Sequence, residues 1–237
     1  MNMGMPEKTP IEKRASKKEQ AEKRTRLSLP QYSLGEEIFS SVTHGVSALF
    51  AIAAYVILLV FCRRDAYTLW AVNVFGITMI LLYTVSTLYH ALGINRAKKV
   101  FRTLDHCTIF LLIAGTYTPI TLVALGGTKG WVLFGIVWAA AVFGIVLNSI
   151  SVKKFAKVSM ICYLAMGWVI IFAMGDFYRG AGFTALLFLG IGGVFYTVGA
   201  VLYLFGKKVP YMHSVWHIFV FGGSFFHFLT VYQIVAK

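Results

Sequence analysis

Residues 38–61 read IFSSVTHGVSALFAIAAYVILLVF, and this run decides the kind of fold. It contains no Lys, Arg, Asp or Glu. It is also longer than the roughly 20 residues a helix needs to cross a hydrocarbon core. Comparable runs recur at about 67–91, 104–124, 131–151, 157–175, 181–205 and 212–235, the fifth being the shortest. The pattern predicts an all-α membrane protein, a seven-transmembrane helix bundle.

Composition points the same way. Of 237 residues, 58% are hydrophobic and only 13% charged. A soluble domain carries about 25% charged residues, so this chain has too little polar surface to cover a water-soluble fold. The net charge of +13 does not indicate nucleic acid, because the basic residues sit in short clusters between apolar runs. Cys62, Cys107 and Cys162 are scattered through apolar stretches. They read as small apolar residues, not as disulfides or a thiolate site.

Residues 1–35 differ from the rest. Lys8, Lys13, Arg14, Lys17, Lys18, Lys23, Arg24 and Arg26 alternate with a few Glu and Gln, and no apolar block follows closely. Without an apolar core region this is not a cleavable signal peptide. We expect a disordered cytoplasmic tail able to lie on anionic lipid headgroups, followed by a membrane domain over 36–237. Charge in the connections then sets the topology. The tail shares one side with Arg96, Lys98, Lys99, Arg102, Lys153, Lys154, Lys157, Lys207 and Lys208. The opposite side has only Arg63, Arg64, Lys129, Arg179 and Lys237. By the positive-inside rule the N-terminus is cytoplasmic and the C-terminus outside. Gly190-Ile191-Gly192-Gly193 and Gly222-Gly223 should let helices approach closely. Pro119 should loosen the third span, with neighbouring threonines bonding freed carbonyls.

Ionisable residues inside or at the mouths of spans are costly and are functional candidates by default. They are Glu36, Glu37, His44, His90, Asp105, His106, His213, His217 and His227. The topology puts all but His227 in one cytoplasmic-side layer. His213 and His217 are four apart, on one helical face, a spacing that suits a shared metal ion. With His90 they form a three-histidine set with an open fourth position, the pattern of catalytic zinc sites. No Glu lies between His213 and His217, so any base must come from elsewhere. Asp105 is the candidate, holding water for attack and taking its proton. Ser86 is four residues before His90, on its face, and could orient a ligand or substrate oxygen. His106 should point about 100° away from Asp105 and reads as structural. His227 reads as a packed, hydrogen-bonded histidine. His44 and Glu37, seven apart on one face, are candidates for hydrogen-bonded support of the ligands. Helix capping or interhelical bonding by Glu37 is the alternative.

These residues together resemble a known family. The pieces are Glu36-Glu37-Ile38, Thr43-His44-Gly45, Ser86-Thr87-Leu88-Tyr89-His90, Leu104-Asp105-His106, Ala114-Gly115-Thr116-Tyr117-Thr118-Pro119, His213-Ser214-Val215-Trp216-His217 and His227-Phe228. In this order they resemble the bacterial hemolysin III family, related to the progestin and adiponectin receptor family and more remotely to alkaline ceramidases. Ser40 stands where that pattern has Asn. The resemblance implies a seven-helix bundle with a cytoplasmic-side zinc held by His90, His213 and His217. It also implies Asp105 and Ser86 as active-site residues, and membrane metal hydrolases of lipid amides such as ceramide, linked to membrane-lipid homeostasis. The cytolytic activity behind the family name fits this site poorly. A non-enzymatic, zinc-stabilised sensor or receptor and a pore-former are the competing readings. The sequence leaves the oligomeric state open.

Overall fold

The computed structural model describes residues 9–205 and 209–236. Lys8, Lys207, Lys208 and Lys237, used above to assign topology, lie outside the described residues. The described residues are helical almost throughout and contain no strand. In chain order the helices are α1 (Pro10–Arg26), α2 (Leu34–Phe61), α3 (Ala66–Ala91), α4 (Arg96–Pro119), α5 (Gly127–Trp168), α6 (Met174–Phe205) and α7 (Met212–Val235).

Local chemistry sets the helix starts. Ser33 and Glu36 form a reciprocal capping box at α2: Glu36 N donates to Ser33 Oγ (3.2 Å), and Ser33 N donates to Glu36 Oε2 (2.8 Å). The other Glu36 oxygen accepts from Tyr211 N at 2.9 Å, so one carboxylate fastens the starts of both α2 and α7. Asp65 caps α3 through Thr68 N (2.9 Å), and Asn95 caps α4 through Lys98 N (2.8 Å). At Pro119 the chain widens into a π-helical segment, Ile120–Leu125. The Thr116, Thr118 and Thr121 hydroxyls donate to the carbonyls of Leu112, Ala114 and Tyr117. The expected loosening at Pro119 therefore takes the form of a wider helical turn braced by threonines.

Five stretches among the described residues are long and apolar enough to cross a membrane: Leu34–Phe61, Ala66–Ala91, Arg96–Leu125, Gly127–Leu204 and Met212–Val235. The fourth, 78 residues long, covers three of the expected spans. It is not uniform: Ser151 (φ −167°, ψ 105°) and Gly182 (φ 84°, ψ 175°) leave the helical conformation. Ser151 Oγ then accepts from Lys154 N at 3.2 Å, capping the helix that resumes. The surface is apolar where a soluble protein's would be polar. Leu49, Ile150, Ile161, Phe172 and Phe183 are all exposed, Phe172 to 89%. So large an apolar exterior belongs in lipid.

Small residues let the helices close. A Cβ on Gly192, Gly222 or Gly223 would fall 2.3 to 2.6 Å from side chains across the α6–α7 contact, as the sequence suggested. Cys62 and Cys107 are buried, Cys162 is half-buried, and all three are free thiols.

The tail needs a correction. Residues Pro10–Arg26, expected to be disordered, form α1, and basic Lys23, Arg24 and Arg26 sit in its last turn, where they complement the helix dipole. The chain then packs onto the bundle: Arg24 and Leu29 are buried, and Arg102 donates to Ser28 O. These are tertiary contacts, which composition does not display.

Candidate metal centre

The last turn of α3 and the first turns of α7 meet where α2 begins. His90 lies on α3, His213 and His217 on α7, and their ligand atoms all lie within 4.8 Å of one another. His213 Nε2 is 3.2 Å from His90 Nε2 and 3.1 Å from His217 Nε2. Two ligands at about 2.05 Å from one ion and at the tetrahedral angle stand roughly 3.3 Å apart. The two separations from His213 match that figure.

The donor set also fits a cation on chemical grounds. His90 Nδ1 is 2.8 Å from Glu37 Oε2, and a carboxylate there assigns the ring proton to Nδ1 and leaves Nε2 a bare lone pair. With neutral rings, His213 Nε2 can then be a donor or an acceptor, but not both. At most one of the two short contacts is a hydrogen bond; the other sets like against like. A divalent ion between the three nitrogens removes the conflict.

Glu37 is buried among cations. Its Oε1 accepts from Arg24 at 3.0 Å, and its Oε2 lies 3.1 Å from Lys98 Nζ. Lys98, 1% exposed, also donates to the carbonyls of Tyr89 (2.8 Å), His90 (3.4 Å) and Leu92 (3.0 Å). Neither Arg24 nor Lys98 was picked out as part of a site from the sequence, where both read as topological charge. Tyr32 was also missed. Its ring stacks on His213 with centroids 4.9 Å apart and planes 17° from parallel, and burial pushes its hydroxyl well above the usual pKa. His44 stacks on His217 at 3.6 Å and 18°. Ser40, the departure from the expected pattern, has its Oγ 2.8 Å from that of Ser214 and ties α2 to α7.

Asp105 on α4 is buried, as are Ser86 and His90 on α3. With His213, Asp105 lines a cavity of about 130 Å³, whose walls include Leu82, Ile109, Leu112 and Met160. His227 lines the same cavity, 14 residues further along α7 and so roughly 21 Å from His213 along the helix. His106, expected to face away, also lines it, and its carbonyl accepts from Tyr163 Oη at 2.8 Å. A second, polar cleft of about 690 Å³ reaches the centre from the α1 side, past Lys23, Arg24, Tyr32 and Glu37 to His90.

Residues 32–228 match the haemolysin-III related family. The chain belongs to that family. It is 42% identical over 215 residues to Hemolysin-3 of Bacillus cereus, covering 89% of this chain and 95% of that one. It is 42% identical over 211 residues to the Hemolysin-3 homolog of Bacillus subtilis (strain 168), with 87% and 97% covered. The Monocyte to macrophage differentiation factor of Homo sapiens is 26% identical over 181 residues, covering 73% of this chain and 72% of that protein. With its apolar helices, the family membership makes this a multi-pass membrane protein.

Proposed function

We propose that this protein is a zinc-dependent hydrolase of a lipid amide or ester that serves membrane-lipid homeostasis. The observation behind this reading is three histidine side chains converging at one point, with His213 lining an apolar cavity that buried Asp105 also lines. His90, His213 and His217 would hold the ion and leave a fourth position for reactants, as catalytic zinc sites do. Zinc, when bound, supplies a Lewis acid that polarises a carbonyl and lowers the pKa of water toward neutrality. Asp105 holds the attacking water and takes its proton. Ser86 orients the substrate oxygen, and Glu37 fixes the His90 ring. The apolar cavity receives the lipid chain and keeps bulk water from the reacting carbonyl, while the polar cleft under α1 takes the headgroup side. We also infer that the breaks at Ser151 and Gly182 divide Gly127–Leu204 into three crossings, giving seven in all, with the N-terminus and the metal centre cytoplasmic. The exposed lysines of α1 then face anionic headgroups.

Bound metal and hydrolysis of ceramide-like amides and acyl esters, measured for wild type, His217→Ala and Asp105→Ala, test this. Wild type should carry one metal ion and turn over, His217→Ala should lose both, and Asp105→Ala should keep metal but lose turnover. Absence of stoichiometric metal in wild type would defeat the reading. A second reading is favoured by one observation: the ligands bridge α3 to α7. In it, the metal clamps a non-enzymatic sensor. Stoichiometric metal, a lower melting temperature on chelation and no turnover on any lipid amide or ester would select it.

A further inference from the structure

The family match begins at residue 32, so α1 and Arg24 lie outside it. Arg24 is nonetheless only 8% exposed, and it reaches 13 residues along the chain to a carboxylate in contact with a histidine of the candidate centre. We propose that Arg24 is a positioning residue of the metal centre, acting through Glu37, so that the amino-terminal segment completes the ligand geometry. This rests on the assignment of His90, His213 and His217 as a metal site.

The two oxygens of Glu37 are divided. Oε2 meets His90 Nδ1 at 2.8 Å and Lys98 Nζ at 3.1 Å, and Oε1 meets Arg24 at 3.0 Å. Lys98 is anchored by the carbonyls of Tyr89, His90 and Leu92, so it cannot follow a carboxylate that turns. Arg24 holds the second oxygen and so fixes the rotation of the carboxylate plane. Arg24 is itself fixed, because its other terminal nitrogen donates to Pro30 O at 2.8 Å. That fork needs a planar guanidinium; a lysine supplies the charge but not both bonds. A carboxylate hydrogen-bonded to the remote nitrogen of a ligating histidine orients the ring and raises its basicity. Turning Glu37 would weaken that bond to His90. The same segment carries Tyr32, whose ring lies on His213. Two of the three histidines are thus steadied by residues 24–32, one through charge and one through a ring face.

The test is zinc affinity by chelator competition, with the visible spectrum of the cobalt-substituted centre, on full-length protein in detergent. The variants are Arg24→Gln, Arg24→Lys, Glu37→Gln, the Arg24→Gln/Glu37→Gln double variant and exposed Lys153→Gln. Arg24→Gln should weaken zinc about 10- to 100-fold, the range found when such supporting contacts are lost, and shift the cobalt bands. Arg24→Lys should recover part of the loss. The double variant should bind no more weakly than Glu37→Gln alone, since Arg24 acts only through Glu37. Lys153→Gln should match wild type. An Arg24→Gln affinity within about twofold of wild type, beside a weakened Glu37→Gln, would overturn the proposal, as would additive losses in the double variant. If Arg24→Gln does not fold, Arg24→Lys decides: weaker binding supports the fork, unchanged binding overturns it. Wild type that binds neither zinc nor cobalt removes the metal site itself, a distinct result.

Discussion

Both ends of the bundle carry ion pairs, but among the described residues only one end buries them. At the starts of α5 and α6, Lys129 pairs with Asp176 at 3.0 Å, and in the α2–α3 turn Arg63 pairs with Asp65 at 4.0 Å, with side chains at least partly open to solvent. At the histidine end Arg24, Glu37 and Lys98 are each buried. Exposed pairs are screened and add little. Buried ones pay a desolvation penalty that hydrogen bonds must offset, so they are poor devices for stability alone. Charges kept in the interior at one end and left in water at the other point to work at the buried end: holding His90 in place.

The sharpest way to break this contrast is His217→Ala, which should reduce bound metal from stoichiometric to trace by elemental analysis. Asp105→Asn should retain the metal while turnover falls by roughly 10²- to 10⁴-fold, the usual contribution of a positioned base. Glu37→Gln leaves Arg24 and Lys98 facing a neutral group. It should cost about 3 kcal/mol in denaturant unfolding from mixed micelles. At the open end, Asp65→Ala removes the α3 cap and should cost about 1 kcal/mol. The Thr68 hydroxyl and backbone N–H hold the Asp65 carboxyl below its usual pKa. That contribution is therefore complete above the ordinary Asp range and drains away as pH falls through the lower folded value. The difference between Asp65→Ala and wild type should shrink in acid accordingly. The smallest effect belongs to Asp176→Asn, whose unfolding midpoint should match wild type despite the loss of contacts to Lys129 and Arg179.

The helices of the membrane domain were legible because apolar run length is a one-dimensional signal. The three-histidine cluster was legible because ionisable residues in such runs are rare, and helical spacing with charge bias gave them a common depth. What escaped was tertiary. Lys98 sits in a basic connection and was counted with the solvated charges, yet it is 1% exposed. Its burial depends on α2 supplying Glu37 and on the end of α3 supplying carbonyls, which no local pattern announces. Arg24 and Tyr32 were hidden for the same reason in a segment whose composition alone suggested disorder. The breaks at Ser151 and Gly182 fall where the sequence suggested one span ends and another begins.

One feature bears on how the molecule is made. The candidate centre joins His90 on α3 to two histidines on α7, and Glu36 on α2 holds the start of α7. A chain halted anywhere before residue 213 has one histidine of the three and cannot hold an ion in this way. In the proposed reading, an ion can be captured in this way only after α7 has been made and has returned to α2. A filled centre would report that α2, α3 and α7 have been brought together in one folded chain.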